Sequence, residues 1–564
     1  MERRTRRVVF DRLERGAVIM HFDRRTISRR QVLKTALAGT AAAATGLPGA
    51  TPAAAQGRAE TLRHVFAGVM NTLDPTLPGS TRESFGLSMA VYDRLASYGR
   101  KKVDGNWTFD FDNIRGELAE RIDRSPDGRT LTAHLRKDAT WHDGSPVTAE
   151  DVKWSLDRAV APGGLSATQM AAGSLTKPEQ VKIAGPGVIE ISLDKPDRLT
   201  VANLGVPFSP MFNSKLAQKY ATADDPWARN WLKENTAGSG AYTVEQFKAG
   251  QQVVLRRNEA WKSGPDGKPA FFRRVIGQTV PEAATRANLI EKGDADLAID
   301  LQASDIDAMQ RRGSVKLVAI PQINGFSAIV FNTRMAPFDD PKVRLAVAMA
   351  LPYQPMFEAA LFGRGRPLFG ADWTTAPNAT FPQRMPFRTD AAKAKAMLTE
   401  AGHPNGFKTT FSFSSGVSAI AEPMASLIKE ALGKIGIEVE IQKLPPAQMT
   451  TMEVERRAPF FISAGNAWLP APDYFFRTYY SADQRWNFSG LRNQELETLA
   501  QSARFETDAA KYDADCRRMI DIAAREAPMV MVWQANQDAA MAPSLDGYTY
   551  WFHGQVDYRD LRRV

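Results

Sequence analysis

Residues able to do chemistry are thinly spread in this chain. After position 55 there are five histidines, His64, His134, His142, His403 and His553, and no two stand at the spacing that one metal ion requires. Neither a His-Glu-x-x-His zinc helix nor a Gly-x-Ser-x-Gly nucleophile turn occurs. Asp339 and Asp340 are adjacent carboxylates of the kind that can trade protons. They precede a helical pattern, however, where carboxylates cap the helix and complement its dipole. Gly238-Ser239-Gly240 would suit a phosphate only if Lys-Ser/Thr and a helix followed, and a strand pattern follows instead. Cys516 is the only cysteine, so no intramolecular disulfide forms, and its helical setting reads as an inert, buried thiol. No cofactor and no metal site is expected, which points to binding rather than turnover.

The elements that would position a binding site are easier to read. Over 135–160, a strand end runs into the Asp143-Gly144 turn, and Thr148 then stands three residues before Asp151. That spacing predicts a capping box and a helix from about Ala149, with Val152, Leu156, Ala159 and Val160 on one buried face. Strand patterns at 119–125 and 130–135 flank Pro126-Asp127-Gly128, and a second pair turns at 184–187, which predicts an antiparallel module. Helices are expected near 84–95, 283–292, 390–401, 423–436, 493–503 and 507–527. Strands are expected near 62–66, 329–332, 407–412, 437–441 and 528–533. The strand, helix, strand order between 407 and 441 favours a partly parallel sheet.

Length and charge set bounds on this. At 564 residues the chain exceeds what one core supports, so two or three domains are expected. A hydrophobic content of 43% fits a soluble globular protein. The net charge of +9 invites a polyanion partner, but residues 1–55 hold 11 Lys+Arg against 4 Asp+Glu, leaving 61 and 59 for the rest. The body therefore gives no electrostatic case for nucleic acid. Ser28-Arg29-Arg30-Gln31-Val32-Leu33-Lys34 resembles the twin-arginine export signal, with Val32 where Phe is usual. A weakly apolar run over 35–50 and the small residues Ala53-Ala54-Ala55 follow, so cleavage is expected after Ala55. Met20 lies just ahead of the arginines and leaves the start open between Met1 and Met20.

The order Leu135-Arg136-Lys137-Asp138, Trp141-His142-Asp143-Gly144, Thr148-Ala149-Glu150-Asp151-Val152 and Ser155-Leu156-Asp157-Arg158 resembles the signature of the extracellular solute-binding proteins of family 5. These serve ABC importers for peptides, nickel and related cargo. Further landmarks follow in the family's order, among them Leu73-Asp74-Pro75, 238–242 with 253–258, Gly293 with Asp296, and 337–344. The resemblance spans 62–564. It implies an α/β, two-lobed periplasmic-binding-protein fold, class II-like with an extra antiparallel subdomain and a ligand cleft between the lobes. The divisions it suggests are a signal peptide at 1–55, lobe 1 at 56–97 and 206–300, the extra subdomain at 98–205, lobe 2 at 301–530, and a return to lobe 1 at 531–564.

Function by resemblance is capture of a peptide-like or other small solute in the periplasm by lobe closure, with delivery to an ABC transporter permease in the inner membrane. Partners are then that solute and that permease, with no nucleic acid, and the chain is a monomer. An exported hydrolase, or a chaperone or chemoreceptor partner on the same fold, is the alternative. Residues 466–476 resemble the family's Trp-rich, Pro-Asp-aromatic cleft segment at Pro472, Asp473 and Phe475. In dipeptide and oligopeptide binders an Asp a few residues before that Pro holds the peptide ammonium, and here Trp468 takes its place; Asp473 reads equally as a helix cap. Dipeptide binders also place an Arg after the strand near 407, but no arginine lies between Arg388 and Arg456, and Ser414-Ser415-Gly416 stands there. Losing one member of a buried charged pair costs about 2–5 kcal/mol, which weakens the dipeptide reading. Oligopeptides held by their backbone, oligosaccharides and plant-derived amines remain open. The cleft candidates are Met70, Asn71, Asn324, Phe326, Ser415, Asn466, Trp468 and Asp473, each of which also suits a core or a turn.

Overall fold

The signature stretch folds as its residues dictate. In the computed structural model, which describes residues 57–373 and 377–564, the helix Ala149–Val160 opens with a reciprocal capping box between Thr148 and Asp151. The leader expected at 1–55 lies outside the described residues. Asp151 is buried and fully engaged: Oδ2 accepts from Thr148 N and from Trp141 Nε1, both at 3.1 Å, and Oδ1 accepts from Ser214 N at 2.9 Å. Val152, Leu156 and Ala159 are buried on the inner face. His142 Nε2 sits 3.0 Å from the Gly240 carbonyl, and Asp143 accepts from Asn213 at 2.9 Å. The motif is thus spent on holding a helix to its neighbours.

That helix also carries Arg158, which pairs with Asp74 of the Leu-Asp-Pro turn, both side chains being almost wholly buried. Arg158 Nη1 donates to Thr76 Oγ1 at 2.6 Å and Nε to the Trp227 carbonyl at 3.1 Å, so three separated stretches meet at one guanidinium. Phe212 covers it at 4.7 Å.

Among the described residues, the largest sheet has twelve strands gathered on one of them, Met529–Met541. This strand pairs antiparallel with Gly325–Phe331, Gly365–Pro367, Lys316–Pro321 and Leu297–Ala298. To one side the sheet continues through Phe460–Asn466 to Lys408–Ser414 and Glu438–Leu444, the last two parallel to each other as the strand, helix, strand order predicts. To the other side it continues through Thr61–Phe66, Arg274–Thr279, Gln252–Arg257 and Tyr242–Lys248. Two lobes therefore lie on either side of a shared strand, in a mixed α/β arrangement. Separate antiparallel sheets are built from Ala119–Arg124, Thr130–Leu135, Val188–Ser192 and Val181–Gly185, and from Ala96–Val103, Asn106–Gly116 and Thr549–Tyr550, where the last strand joins parallel.

Three details depart from expectation. The helix expected at 423–436 runs Ser418–Gly433 with Pro423 inside it. Pro423 stands beyond the first turn, where it has no N–H to give the Ala419 carbonyl, and the helix continues through it. The strand expected to end at 533 reaches Met541. Its polar continuation hid it, because Asp538 is matched by Arg364 at 2.6 Å and Gln537 by Gln322 at 3.2 Å. The strand after Gly238-Ser239-Gly240 begins only at Tyr242, and Gly240 N donates to the Val91 carbonyl at 2.9 Å. A Cβ at Gly238 or Gly240 would fall within 2.2 or 2.5 Å of Val91 backbone atoms, so both glycines are needed for that approach.

Asp74→Ala strands a buried guanidinium, and we expect it to lower stability by about 3–5 kcal/mol in urea titrations of the chain from residue 56. Combining it with Arg158→Met costs less than the sum of the two single changes, since the uncompensated charge is then removed.

Candidate ligand cleft

Four of the candidate residues meet at the ends of two paired strands. Gly325–Phe331 and Phe460–Asn466 run antiparallel with Gly325 opposite Asn466 and Phe326 opposite Gly465. Asn324, wholly buried just before the first strand, donates to Asn466 Oδ1 at 2.8 Å and to the Ala467 carbonyl at 2.6 Å, and accepts from Tyr550 OH at 2.5 Å. Phe326 packs on Tyr479 at 5.3 Å, and Tyr479 OH accepts from Asn466 N at 3.1 Å. Gly465 fits here because a Cβ would sit 2.6 Å from Phe326. Burial pushes the Tyr479 hydroxyl up to about 12, so it stays a neutral hydrogen-bonding group.

Trp468 follows two residues after the second strand and reaches the other lobe. Its indole meets Phe85 at 5.1 Å and Phe208 at 4.9 Å, both edge-on, and the Arg82 guanidinium lies over it at 4.7 Å. Arg82 is the first residue of the helix Arg82–Val91, capped by Thr81. Its Nη1 donates to the His553 carbonyl at 3.0 Å. Burial lowers its pKa, against the neighbouring Tyr550, Tyr479 and Glu83, which raise it. More contacts cross the same seam farther out. Tyr474 OH donates to Gln169 at 3.0 Å, Arg504 pairs with Asp197 at 2.7 Å, and Arg198 lies over Tyr512 at 3.8 Å.

The remaining candidates stand elsewhere. Met70 is buried in the core. Asn71 organises its own loop, its Oδ1 accepting from Thr81 N and Ser84 Oγ at 3.1 Å and its Nδ2 donating to the Gly79 carbonyl at 2.9 Å. Ser415 is exposed in the short turn Ser415–Val417, and its carbonyl accepts from Ser418 Oγ at 2.9 Å. Asp473 is buried in the first turn of Pro472–Tyr479, with Oδ1 accepting from Tyr512 OH at 2.8 Å and Oδ2 paired with Arg477 at 3.1 Å. Both of its oxygens are thus already engaged.

Residues 113–487 match the family described as bacterial extracellular solute-binding proteins, family 5, middle. The chain belongs to this family. Residues 26–46 match the signal sequence of the twin-arginine translocation pathway, so this family 5 protein is directed to the periplasm. It is 28% identical over 490 residues to the probable D,D-dipeptide-binding periplasmic protein DdpA of Escherichia coli K12, covering 85% of this chain and 89% of that one. Heme-binding protein A of Haemophilus influenzae is 27% identical over 487 residues, 82% of this chain and 84% of the relative. The fold is shared with the periplasmic binding protein DppA of Helicobacter pylori, solved with the peptide STSA: TM-score 0.72, 21% identity, 89% of this chain and 98% of that chain. The relatives are solute-binding proteins of ABC importers, and at that level the alternative of an exported hydrolase is not favoured.

Sequence reasoning about this family 5 member missed Arg82, Phe85, Phe208, Tyr479 and Tyr550 as parts of the seam. One signal was available. A cation in the first turn of a helix opposes the helix dipole, so Arg82 needed a reason beyond helix stability.

His553, whose carbonyl receives Arg82, and His64, whose Nδ1 is 3.0 Å from Tyr558 OH, are each brought down to about 3 by burial. Unfolded, each titrates near 6.5, so between these values the unfolded state binds protons that the folded state refuses. Stability should fall as pH drops below about 6.5, each histidine contributing roughly 1.4 kcal/mol per pH unit. Urea midpoints of His64→Asn and His553→Asn, read from pH 7 to pH 4.5, should each show a shallower slope than the parent.

Proposed function

We propose that the seam lined by Arg82, Asn324, Phe326, Asn466, Trp468 and Tyr479 is the solute site, and that the two lobes close over a peptide-like or other small solute there. The carrying observation is Trp468, which leaves a strand of one lobe and lies against Phe85, Phe208 and Arg82 of the other. Aromatic walls with a few fixed polar groups are how small-solute clefts are lined. A solute drives closure only through contacts made better in the closed form, and a side chain that bridges the lobes supplies such contacts. The loaded monomer then presents the solute to a permease in the inner membrane and performs no chemistry itself. Asp473, tied to Tyr512 and Arg477, serves the scaffold in this reading, and so do Met70 and Asn71.

The chain from residue 56, freed of bound solute by mild denaturation and refolded, should lose radius of gyration and change tryptophan emission on return of whatever compound mass spectrometry finds in the exported protein. Trp468→Ala should weaken that binding by about 30-fold, the scale of a buried aromatic hot spot of about 2 kcal/mol, while leaving the melting transition cooperative. An unchanged radius and unchanged emission across peptides, sugars and the extracted compound would count against the seam as a solute site.

A further inference from the structure

Among the described residues, several buried or half-buried arginines of this protein are well provided for. Arg158 pairs with Asp74, Arg94 with Glu117 at 2.7 Å, Arg559 with Glu117 and Asp557 at 2.6 Å, and Arg504 with Asp197 at 2.7 Å. Arg286 lacks a carboxylate but gives Nε, Nη1 and Nη2 to the carbonyls of Ile299, Val280, Pro281 and Asp300. Such provision is expected, because a cation withdrawn from water and left uncompensated is costly.

Arg82, half-buried beside Trp468, is less fully provided for. Nη1 is taken by the His553 carbonyl and one face by the Trp468 ring. Among the described residues, Nε and Nη2 meet no acceptor, and no carboxylate forms an ion pair with Arg82. Glu83, next in the chain, acts on it only through space. Those two nitrogens are not sealed in either. Arg94, Arg115 and Arg477 each have a sealed Nε with no partner, a group to which the Nε and Nη2 of the half-buried Arg82 do not belong. Among the described residues, Trp468 Nε1 also has no acceptor, and unlike Nε1 of Trp551 it is not a sealed atom.

What is left free is therefore the Nε–Nη2 edge of a guanidinium, whose two parallel N–H bonds match the two oxygens of a carboxylate. An indole N–H from the opposite lobe is available as well. We propose that the solute is an acid whose carboxylate docks on the Nε–Nη2 edge of Arg82 and can also accept from Trp468 Nε1. This deepens the reading of the seam as the solute site and rests on it. The acid end lies toward the helix Arg82–Val91, and the body of the solute lies toward Phe326 and Tyr479. An ammonium at the other end is not required for binding, since Asp473 is occupied by Tyr512 and Arg477.

The test uses the exported chain, stripped and refolded, against two matched pools: di- and tripeptides and simple carboxylic acids with free carboxylates, and the same compounds as primary amides. Thermal shift finds the binders and calorimetry gives Kd. The expected result is binding of acids with their amides at least tenfold weaker, a ratio that falls to near one in Arg82→Gln and is partly kept in Arg82→Lys. Amides binding as well as acids, or Arg82→Gln retaining the acid preference, overturns the role of Arg82 and leaves the seam as a solute site. Failure of both pools to bind or to change the radius of gyration overturns the two together. Arg82→Lys, which keeps the charge over Trp468, serves as the folding control.

Discussion

Both lobes hang from backbone hydrogen bonds to one strand. Met529–Met541 is paired along its length with four others, its first half carrying one side of the sheet and its second half the other. Its first six residues are buried, Ala535–Asp538 are half-exposed, and the last three are buried again. Movement between the lobes that keeps these ladder hydrogen bonds is taken up by twist and bend along this strand, whose middle is tied by Arg364 to Asp538 and by Gln322 to Gln537.

Within the first lobe, buried ion pairs do what a shared strand cannot, which is to fix segments far apart in sequence. Arg158 joins the signature helix to the Leu-Asp-Pro turn. Arg94, Glu117, Arg559 and Asp557 bind the C-terminal segment back onto the sheet of Ala96–Val103 and Asn106–Gly116. Such pairs add little net stability over apolar packing of the same volume, and their removal one partner at a time is costly. They define which segments may lie together, and so place Tyr550 and His553 beside Arg82.

Much of the scaffold was legible because it is written locally. Thr148 with Asp151, Asp340 before Pro341, Asp390, Asn493 and Asp508 all stand where a helix N-terminus needs an oxygen, and each caps its helix. The seam was legible only in half. Asn324, Phe326, Asn466 and Trp468 sit at strand ends where a cleft can be guessed from resemblance. Asp473 looked equally available, and what occupies it is Tyr512, 39 residues away, a contact no local pattern reports. Arg82 and Trp468 are separated by about two thirds of the chain, and only the fold brings a cation of one lobe under an indole of the other. Polar residues after Trp533 likewise hid the second half of the shared strand, because their partners come from elsewhere.

The absence of an arginine between Arg388 and Arg456 argued against a carboxylate anchor on the second lobe, and that argument stands for that lobe alone. A cation on the first lobe changes the logic of closure. An anchor that meets the solute in the open form would hold it without favouring closure, because only contacts that differ between the two forms shift the balance. Arg82 escapes this difficulty through Trp468. In the closed form the indole covers one face of the guanidinium and excludes water from it, which strengthens the charge's attraction for a carboxylate on the free edge. The same indole brings its own N–H from the opposite lobe. The anion therefore binds better once Trp468 has arrived, and Trp468 arrives with the second lobe.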